Sequence, residues 1–196
     1  KSTKYNYQIL VLDDGSKDNT VKLAKKAGAI VYSNNRNLGL AATFREEIRQ
    51  CLKLNADIIV HTDADGQYAA EGIPRLIKKI EEGYDLVLGS RFMGKIEYMP
   101  LLNRLGNFAF SVVLSQLTRT KLTDITTGFR AFTRKVAEEI HYINTFTYTQ
   151  EQIIKAAKQN FRIGEIPIIA RRTRKSKLFR NPFDYAIKAW INIMRI

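Results

Sequence analysis

Two carboxylates stand two residues apart at the end of an apolar segment, in the stretch IIVHTDADGQ. The residues Ile58–Val60 predict a buried strand, and Asp63 and Asp65 follow it at once. Strands of open α/β sheets end at ligand sites, and carboxylates gathered there usually bind a cation. Hard oxygen ligands in this spacing, with Gln67 just behind, suit Mn²⁺ or Mg²⁺ and leave coordination positions for a diphosphate. An Asp-x-Asp also arises by chance in polar turns, so the pair alone does not decide the function.

The first predicted strand also ends in acids, in LDDGSKDNT, where Asp13 and Asp14 open a strand-to-helix turn. The amides of such a turn suit phosphate, and an acid suits a ribose hydroxyl or the N–H edge of a base. The competing interpretation is a capped turn with solvated acids, because Asp, Ser and Gly are favoured in any turn.

Two arginines occur in similar positions further along the chain. Arg91 closes the fourth predicted strand in GSR, and Arg130 lies in TTGFRAF shortly after Asp124. Arginines and an acid beside a metal-bound diphosphate would neutralise the charge that develops on a leaving oxygen. Taken singly, each arginine is equally consistent with a surface or ion-paired side chain.

The apolar periodicity supplies the elements that must position these residues. Strands and helices alternate from the start of the chain to Arg91, which predicts an α/β fold with a mostly parallel sheet and helices on both faces. After Arg91 we expect a long apolar helix in MPLLNRLGNFAFSVVLSQLT, a loop into a short strand in TDITTGFRAF, and then a helix and a strand. A final helix, NPFDYAIKAWINIMRI, is predicted to begin at Asn181.

Composition limits the class of protein. A length of 196 residues and 45% hydrophobic content predict one domain with a sizeable core. The single cysteine, Cys51, excludes an internal disulfide and predicts an inert packing thiol, and two histidines disfavour a His/Cys zinc site. The net charge of +13 requires an anionic partner, and residues 171–196 carry eight Lys or Arg against one acid. No apolar run reaches the ~20 residues that span a bilayer, and no signal peptide is expected.

The ordered set DDGSxDxT, NNRNLGLAA, DADGQ, GSR, TGFRAF, FTYTQE and EIPI resembles the family 2 inverting glycosyltransferases of GT-A fold. Within that family it resembles the dolichyl- or polyprenyl-phosphate mannose and glucose synthases, over nearly the whole chain. The resemblance implies a catalytic domain at residues 1–170, with a basic loop and amphipathic helix at 171–196 as part of the same domain.

The resemblance also implies roles for individual residues. The metal-binding residues would be Asp63, Asp65 and Gln67. The donor nucleotide would lie against Asp13, Asp14, Arg36 and Gly39, with Asp63 and Asp65 at its diphosphate. The reaction centre would hold Asp124, with Arg91 and Arg130 facing the diphosphate or the acceptor phosphate. A basic loop for the acceptor phosphate would include Arg171, Arg172, Ser176 and Lys177.

The sequence departs from the family pattern at two places. A strand with a PxYNE turn normally forms one wall of the nucleotide pocket, and it is absent here; we expect that the sequence is incomplete at its N-terminus. Arg174 stands where the family usually has the glycine of GxSK, which predicts a loop that closes differently because Arg adopts positive φ less readily.

The resemblance implies metal-dependent transfer of a hexose, from GDP-mannose or UDP-glucose, to a polyprenyl or dolichyl phosphate. The alternative within the family is another lipid or glycan acceptor. A nucleic-acid-binding domain is disfavoured, because the acids would face the same edge as the phosphates.

We expect the protein to lie at the cytoplasmic face of a membrane, peripherally or as the soluble part of a membrane protein. The final helix combines an apolar stripe, including Trp190, with basic residues, which suits an anionic membrane surface. The segment Leu105 to Leu117 is a second candidate for such contact. Ordinary packing against the domain is the alternative interpretation of the final helix.

Overall fold

The computed structural model of the chain describes residues 4–145 and 148–171. It has the expected α/β architecture, and the predicted basic loop and final helix lie outside the described residues, except for Arg171. The strands are β1 Leu10–Asp13, β2 Ile30–Ser33, β3 Ile58–His61, β4 Leu86–Ile96, β5 Arg130–Thr133 and β6 Ile163–Ala170. The helices are α1 Thr20–Lys26, α2 Leu40–Lys53, α3 Ile73–Glu81, α4 Leu101–Thr118, α5 Arg134–Glu139 and α6 Thr149–Lys158, with a 3₁₀ turn at Ala70–Gly72.

The strands form two sheets. Strands β1 and β2 pair in parallel, and the second sheet has the order β3-β5-β4-β6. Strand β4 is parallel to β6, whereas β5 is antiparallel to both β3 and β4. Three strands of the larger sheet therefore run in one direction, as expected of a mostly parallel sheet, and β5 is an antiparallel strand that the sequence did not predict.

The direction of β5 follows from the connection that precedes it. Helix α4 and the loop after it return the chain to the ends of β3 and β4, where Arg130 pairs with His61 and Leu88. A parallel strand would need a helix packed across a face of the sheet, and α4 buries only Ser111 and Leu114. The chain therefore re-enters the sheet at the end where β3 finishes, and Arg130 is placed there.

Alternate residues of the larger sheet face two apolar layers. Leu86 and Leu88 pack with residues of α2, α4, α5 and α6, whereas Val87 packs with α3 and β6. The expectation of helices on both faces is confirmed for this sheet. Full burial of a side chain such as Leu88 contributes about 1.5–3 kcal/mol to folding. Cys51 packs against the first layer, and burial raises the pKa of its thiol to about 12, in keeping with an inert thiol.

Helix α4 is the long apolar helix that the sequence predicts, and most of its apolar side chains are exposed. None of the described helices is long and apolar enough to cross a membrane. The exposed large apolar side chains of α4 are Leu101, Leu102, Leu105, Phe108, Val112, Val113 and Leu117.

Candidate active site

The turn after β1 is held to the turn before α2 by the carboxylate of Asp14. Its oxygens accept hydrogen bonds from the amides of Leu38 and Gly39, at 2.8 and 2.9 Å, and from the side chain of Asn34 at 3.0 Å. Burial works against ionisation of Asp14, but these hydrogen bonds prevail and lower its pKa. Asp14 therefore shapes the turn that carries Arg36.

Asp13 closes its own turn in the same manner. The buried carboxylate accepts the Ser16 amide at 3.2 Å and the Ser33 hydroxyl at 2.6 Å. Burial again opposes ionisation, and the hydrogen bonds again give a lowered pKa. Asp13 thereby joins the ends of β1 and β2.

The two turns touch at Gly15. A Cβ on this residue, which has φ +78°, would lie 2.7 Å from the carbonyl carbon of Arg36, so only glycine permits the approach. A cleft of about 430 Å³ lies beside the second turn, and the Arg36 side chain is exposed there. The lining residues are Ser33, Asn34, Asn35, Arg36 and Leu38.

The turn after β3 presents Asp63 and Asp65 to solvent. Asp65 accepts the Gln67 amide at 2.9 Å, and Gly66 has φ +76°, so the turn bends sharply between the carboxylates and Gln67. A Cβ on Gly128, in the loop before β5, would lie 2.5 Å from an oxygen of Asp63. Glycine at this position leaves space beside the carboxylate.

The environment of Asp63 disfavours its charged form. The Asp63 side chain reaches the surface, but the loops packed around it partly exclude water from the carboxylate. This desolvation is the largest influence and raises the pKa of Asp63, and the charge of Asp65 raises it further. Nearby His61 and Arg130 act in the opposite direction without reversing the shift. A cation bound at this turn would favour the ionised carboxylate.

Arg91 and Asp124 form a buried ion pair at the end of the part of β4 that pairs with β5. Asp124 accepts the amide of Arg91 at 3.0 Å, its Nε at 2.6 Å and its Nη2 at 2.7 Å. Arg91 also donates to the Thr126 hydroxyl at 2.7 Å. Two residues 33 positions apart, singled out from the sequence, thus meet in one bidentate contact.

Arg130 lies beneath the site, and this differs from the expectation that it faces a phosphate. It is 0% exposed and donates to the carbonyls of Thr127 and Thr149 and, at 2.9 Å, to the side chain of Gln152. Its guanidinium also lies over the ring of Tyr148. Arg130 is buried because β5 has neighbours on both sides, and burial lowers its pKa.

Sequence reasoning missed a partly buried pair beside Arg130, formed by His61 and Glu47. The ring of His61 lies with Nδ1 2.7 Å from an oxygen of Glu47, which belongs to α2. The same ring packs edge-on against Phe44 and Tyr148. A histidine inside an otherwise apolar strand was the available signal, but nothing in the sequence indicated its partner.

Glu165 is a second residue that sequence reasoning passed over. It lies in β6, and its carboxylate accepts hydrogen bonds from Thr123 and from the amide of Asp124. The motif EIPI contains this glutamate, but the sequence does not show which loop it contacts.

The start of the basic segment meets the Asp63 turn. The amide of Arg171 donates to the carbonyl of Gln67 at 2.9 Å, and Tyr68 forms a β-bridge with Ala170. Tyr68 also stacks on Phe129, with ring centroids 5.3 Å apart. Of the predicted acceptor loop, Arg171 is therefore placed beside this turn, and Arg172, Ser176 and Lys177 lie outside the described residues.

Apart from Arg130, which lies beneath the site, the predicted site residues form three groups in the described part of the chain. Asp13, Asp14, Arg36 and Gly39 form the first, in the turns around β1 and β2. Asp63, Asp65, Gln67 and Arg171 form the second, with Gly128 against them. Arg91 and Asp124 form the third. Helix α2 links the first two groups, because it begins after Gly39 and supplies Glu47 to His61.

Acid-bearing turns at the ends of strands, with paired carboxylates in Asp-x-Asp spacing, are typical of the GT-A glycosyltransferases that the sequence motifs resemble. The sequence profile of glycosyl transferase family 2 matches residues 1–141, and the chain belongs to this family. The family expected from the motifs is therefore confirmed, and the protein is a glycosyltransferase.

Two relatives and one solved structure illustrate the similarity. The chain is 34% identical over 176 residues to a dolichyl-phosphate hexose transferase of Haloferax volcanii, with 89% of this chain and 74% of the relative covered. It is 32% identical over 188 residues to a UDP-N-acetylglucosamine–dolichyl-phosphate N-acetylglucosaminyltransferase of Methanococcus voltae, with 84% and 75% covered.

The structure is glucosyl-3-phosphoglycerate synthase from Mycobacterium tuberculosis in complex with Mn²⁺, UDP and phosphoglyceric acid. It matches with a TM-score of 0.70 at 19% identity and covers 91% of this chain and 62% of that chain. This likeness confirms the GT-A fold.

Proposed function

We propose that the protein transfers a hexose or N-acetylhexosamine from a nucleotide-diphosphate sugar to a polyprenyl or dolichyl phosphate. The observation that carries the proposal is the Asp63 turn, where two carboxylates are exposed. Gly128 lies against Asp63, and the first residue of the basic segment bonds the end of the same turn at Gln67. The relatives named above act on dolichyl phosphate, which supports a lipid phosphate as the acceptor.

The residues at the Asp63 turn fit a divalent cation. Asp63, Asp65 and Gln67 offer hard oxygen ligands, and Gly128 leaves open the space that a Cβ would fill. The described residues hold no cluster of three or more His, Cys, Asp or Glu arranged for a metal. We infer that a diphosphate and water complete the coordination, and Mn²⁺ or Mg²⁺ would help the nucleotide to depart.

The donor nucleotide would occupy the cleft beside Arg36. Four of its five lining residues are polar, and Asp14 fixes the turn that carries them. The exposed guanidinium of Arg36 would pair with the diphosphate, and Asp13 and Asp14 would act mainly by holding the turns in shape. This role differs from direct nucleoside contact, because their oxygens already accept hydrogen bonds from the chain.

The acceptor phosphate is already anionic near neutral pH. Transfer to it therefore needs less help from a general base than transfer to a sugar hydroxyl would. One bond would form from a phosphate oxygen to the anomeric carbon while the bond to the diphosphate breaks, which inverts that carbon. Arg91, oriented by Asp124, and the basic segment that starts at Arg171 would bring the two anions together. Arg130 would support this arrangement from beneath.

The lipid acceptor implies a membrane surface, and we place it on the cytoplasmic face. The exposed apolar side of α4, which includes Leu105, Phe108 and Leu117, supports contact with a membrane surface. The basic residues of 171–196 would add attraction to anionic lipids. Sedimentation with anionic vesicles across a salt series tests the contact: binding should fall as salt rises, and binding absent at low salt would contradict it.

Transfer itself is tested with radiolabelled UDP-glucose, GDP-mannose and UDP-N-acetylglucosamine. Each is incubated with the full-length protein, a polyprenyl monophosphate, and either Mn²⁺ or a chelator. We expect label in the organic extract for one donor, dependent on both metal and lipid phosphate. Label that appears only with a glycan or a diacylglycerol acceptor would support the alternative acceptor class.

A further inference from the structure

Glu165 joins β6 to the loop that precedes β5. One carboxylate oxygen accepts the amide of Thr123 at 2.8 Å and its hydroxyl at 2.9 Å. The other oxygen accepts the amide of Asp124 at 2.9 Å. Three hydrogen bonds on two successive residues fix the position of the peptide unit that carries Asp124.

The contacts continue from Asp124 to Arg91. The carboxylate of Asp124 is fully buried and grips the Arg91 guanidinium at 2.6 and 2.7 Å. The hydroxyls of Ser90 and Thr123 lie 2.6 Å apart, which ties the same loop to β4 immediately before Arg91. If Glu165 moved, Asp124 would therefore move with it, and the Arg91 guanidinium would shift in turn.

A carboxylate at position 165 is energetically unfavourable in its charged form. No ion pair is formed by Glu165 within the part of the chain that the structure describes, and desolvation and the nearby charge of Asp124 raise its pKa. A carboxylate has two oxygens that only accept, so it can serve both amides and the hydroxyl together. A glutamine would direct its own N–H groups at one of these donors.

We propose that Glu165 is a positioning residue for sugar transfer, which acts through Thr123 and Asp124 to hold the Arg91 guanidinium in place for the reacting phosphates. The inference rests on the proposed function. Nothing in the geometry requires Glu165 to touch a substrate.

The chain offers a matched control in Glu151. Its carboxylate also accepts two successive amides, those of Ile143 at 2.7 Å and Asn144 at 3.0 Å. It forms an ion pair with Lys155. Within the described part of the chain, it makes no hydrogen bond to the loop that carries Asp124. Glu165→Gln and Glu151→Gln therefore remove the same kind of anchor from two different loops.

The experiment measures kcat, donor KM and melting temperature for both variants and the parent, with the donor and polyprenyl phosphate that support transfer. For Glu165→Gln we expect kcat to fall about 10- to 100-fold, because small misplacements of a group that contacts reacting phosphates have effects of this size. Donor KM should stay within about threefold. Glu151→Gln should lower the melting temperature but leave kcat within about threefold at a temperature well below both transitions.

A second variant covers the case in which Glu165→Gln does not fold. Thr123→Val keeps the shape of the side chain and removes one of the three hydrogen bonds to Glu165, together with the hydroxyl contact to Ser90. We expect kcat to fall about 3- to 10-fold with donor KM unchanged. A kcat within about twofold of the parent would overturn the proposal.

The other outcomes separate this inference from the proposed function. If the parent transfers sugar to polyprenyl phosphate but Glu165→Gln keeps its kcat, the inference alone fails. If both glutamine variants lose kcat equally, Glu165 is a general stabiliser and the inference fails. If the parent transfers no sugar to lipid phosphate, the proposed function fails and the inference fails with it.

Discussion

The two sheets use the same acidic residue type in opposite ways. Around β1 and β2, Asp13 and Asp14 accept hydrogen bonds from nearby amides and side chains, and their pKa values are lowered. Around β3 to β6, Asp124 is buried against an arginine, and Asp63 and Glu165 have raised pKa values. The first region is also shallow, since no residue of α1 is buried.

The difference indicates that the acids of the two regions have different roles. In the first region the acids build turns and leave Arg36 exposed to a ligand. In the second region Arg91 and Asp124 are buried against each other, whereas the Asp63 turn presents its two carboxylates to solvent. A polar turn in a sequence therefore does not tell whether its acids meet the ligand or shape the chain around it.

The largest expected effect belongs to Arg130→Ala. Removing a buried guanidinium leaves a cavity and the acceptors of Thr127, Thr149 and Gln152 without their donor. We expect a loss of at least about 3 kcal/mol in unfolding free energy. Thermal unfolding measures it, and at ~2–4 °C per kcal/mol the shift should be roughly 10 °C.

The control for this change is Arg134→Ala, which breaks an exposed pair with Glu138. It should cost at most about 0.5 kcal/mol. If Arg130→Ala kept the parent's melting temperature and lost only turnover, Arg130 would face the substrate as the sequence led us to expect.

Next in size is Asp65→Ala. This carboxylate is exposed and bonds only the amide of Gln67 among the described hydrogen bonds, so its removal should spare the fold. An under-coordinated cation should weaken Mn²⁺-dependent nucleotide binding by about 100-fold or more. Calorimetric titration with and without Mn²⁺ gives the affinity, and Glu71→Ala, an exposed acid nearby, is the control. If Asp65→Ala bound the nucleotide with unchanged Mn²⁺-dependent affinity, Asp65 would not be a metal ligand.

Gly128→Ala should have a smaller effect on the same measurement. The added methyl would lie 2.5 Å from an oxygen of Asp63 and 3.2 Å from its Cγ, so the carboxylate must move. We expect metal-dependent nucleotide affinity to fall about 10-fold, the scale of changes around a metal ligand. Gly106→Ala, on exposed α4 with no atom near its Cβ, should bind normally and gain up to about 1 kcal/mol of stability. Equal affinities for the two variants would show that the space beside Asp63 is not needed.

The sequence predicted the positions of the acid-bearing turns because strand ends and turn residues are local signals. Asp63 and Asp65 follow β3 as expected. The ion pair of Arg91 with Asp124 was not predicted, although an ion-paired side chain was one interpretation of each arginine. The sequence also did not predict the reversed direction of β5, which depends on how α4 returns the chain.

What the sequence missed depends on contacts between distant segments. Arg130 is buried because β5 lies between two strands. Glu165 accepts a hydrogen bond from Asp124, which is 41 positions away in the sequence. Helix α5 was also missed, since it follows β5 without a break and is capped by the hydroxyl of Thr133. Local patterns carry none of this information.

The smallest effect concerns titration of the two sets of acids. Asp13 and Asp14, with lowered pKa values, contribute stability above about pH 3.9 that is lost as the pH falls through their folded values. Asp63 and Glu165, with raised values, take up protons at higher pH, and protonation relieves the cost of their desolvation. Carboxyl carbon shifts in an NMR pH titration should place the first pair below the ordinary values and the second pair above them. The reverse order would contradict the comparison.

The most direct measurement of the central claim is the position of a bound Mn²⁺ ion. Crystals grown with Mn²⁺ and UDP, measured at the manganese absorption edge, report it as an anomalous peak. We predict a peak within about 2.5 Å of the carboxylate oxygens of Asp65 or Asp63, the range of hard-cation coordination. A peak at Asp13 or Asp14 instead, with the Asp63 turn empty, would show that the metal belongs to the other region and would contradict this account.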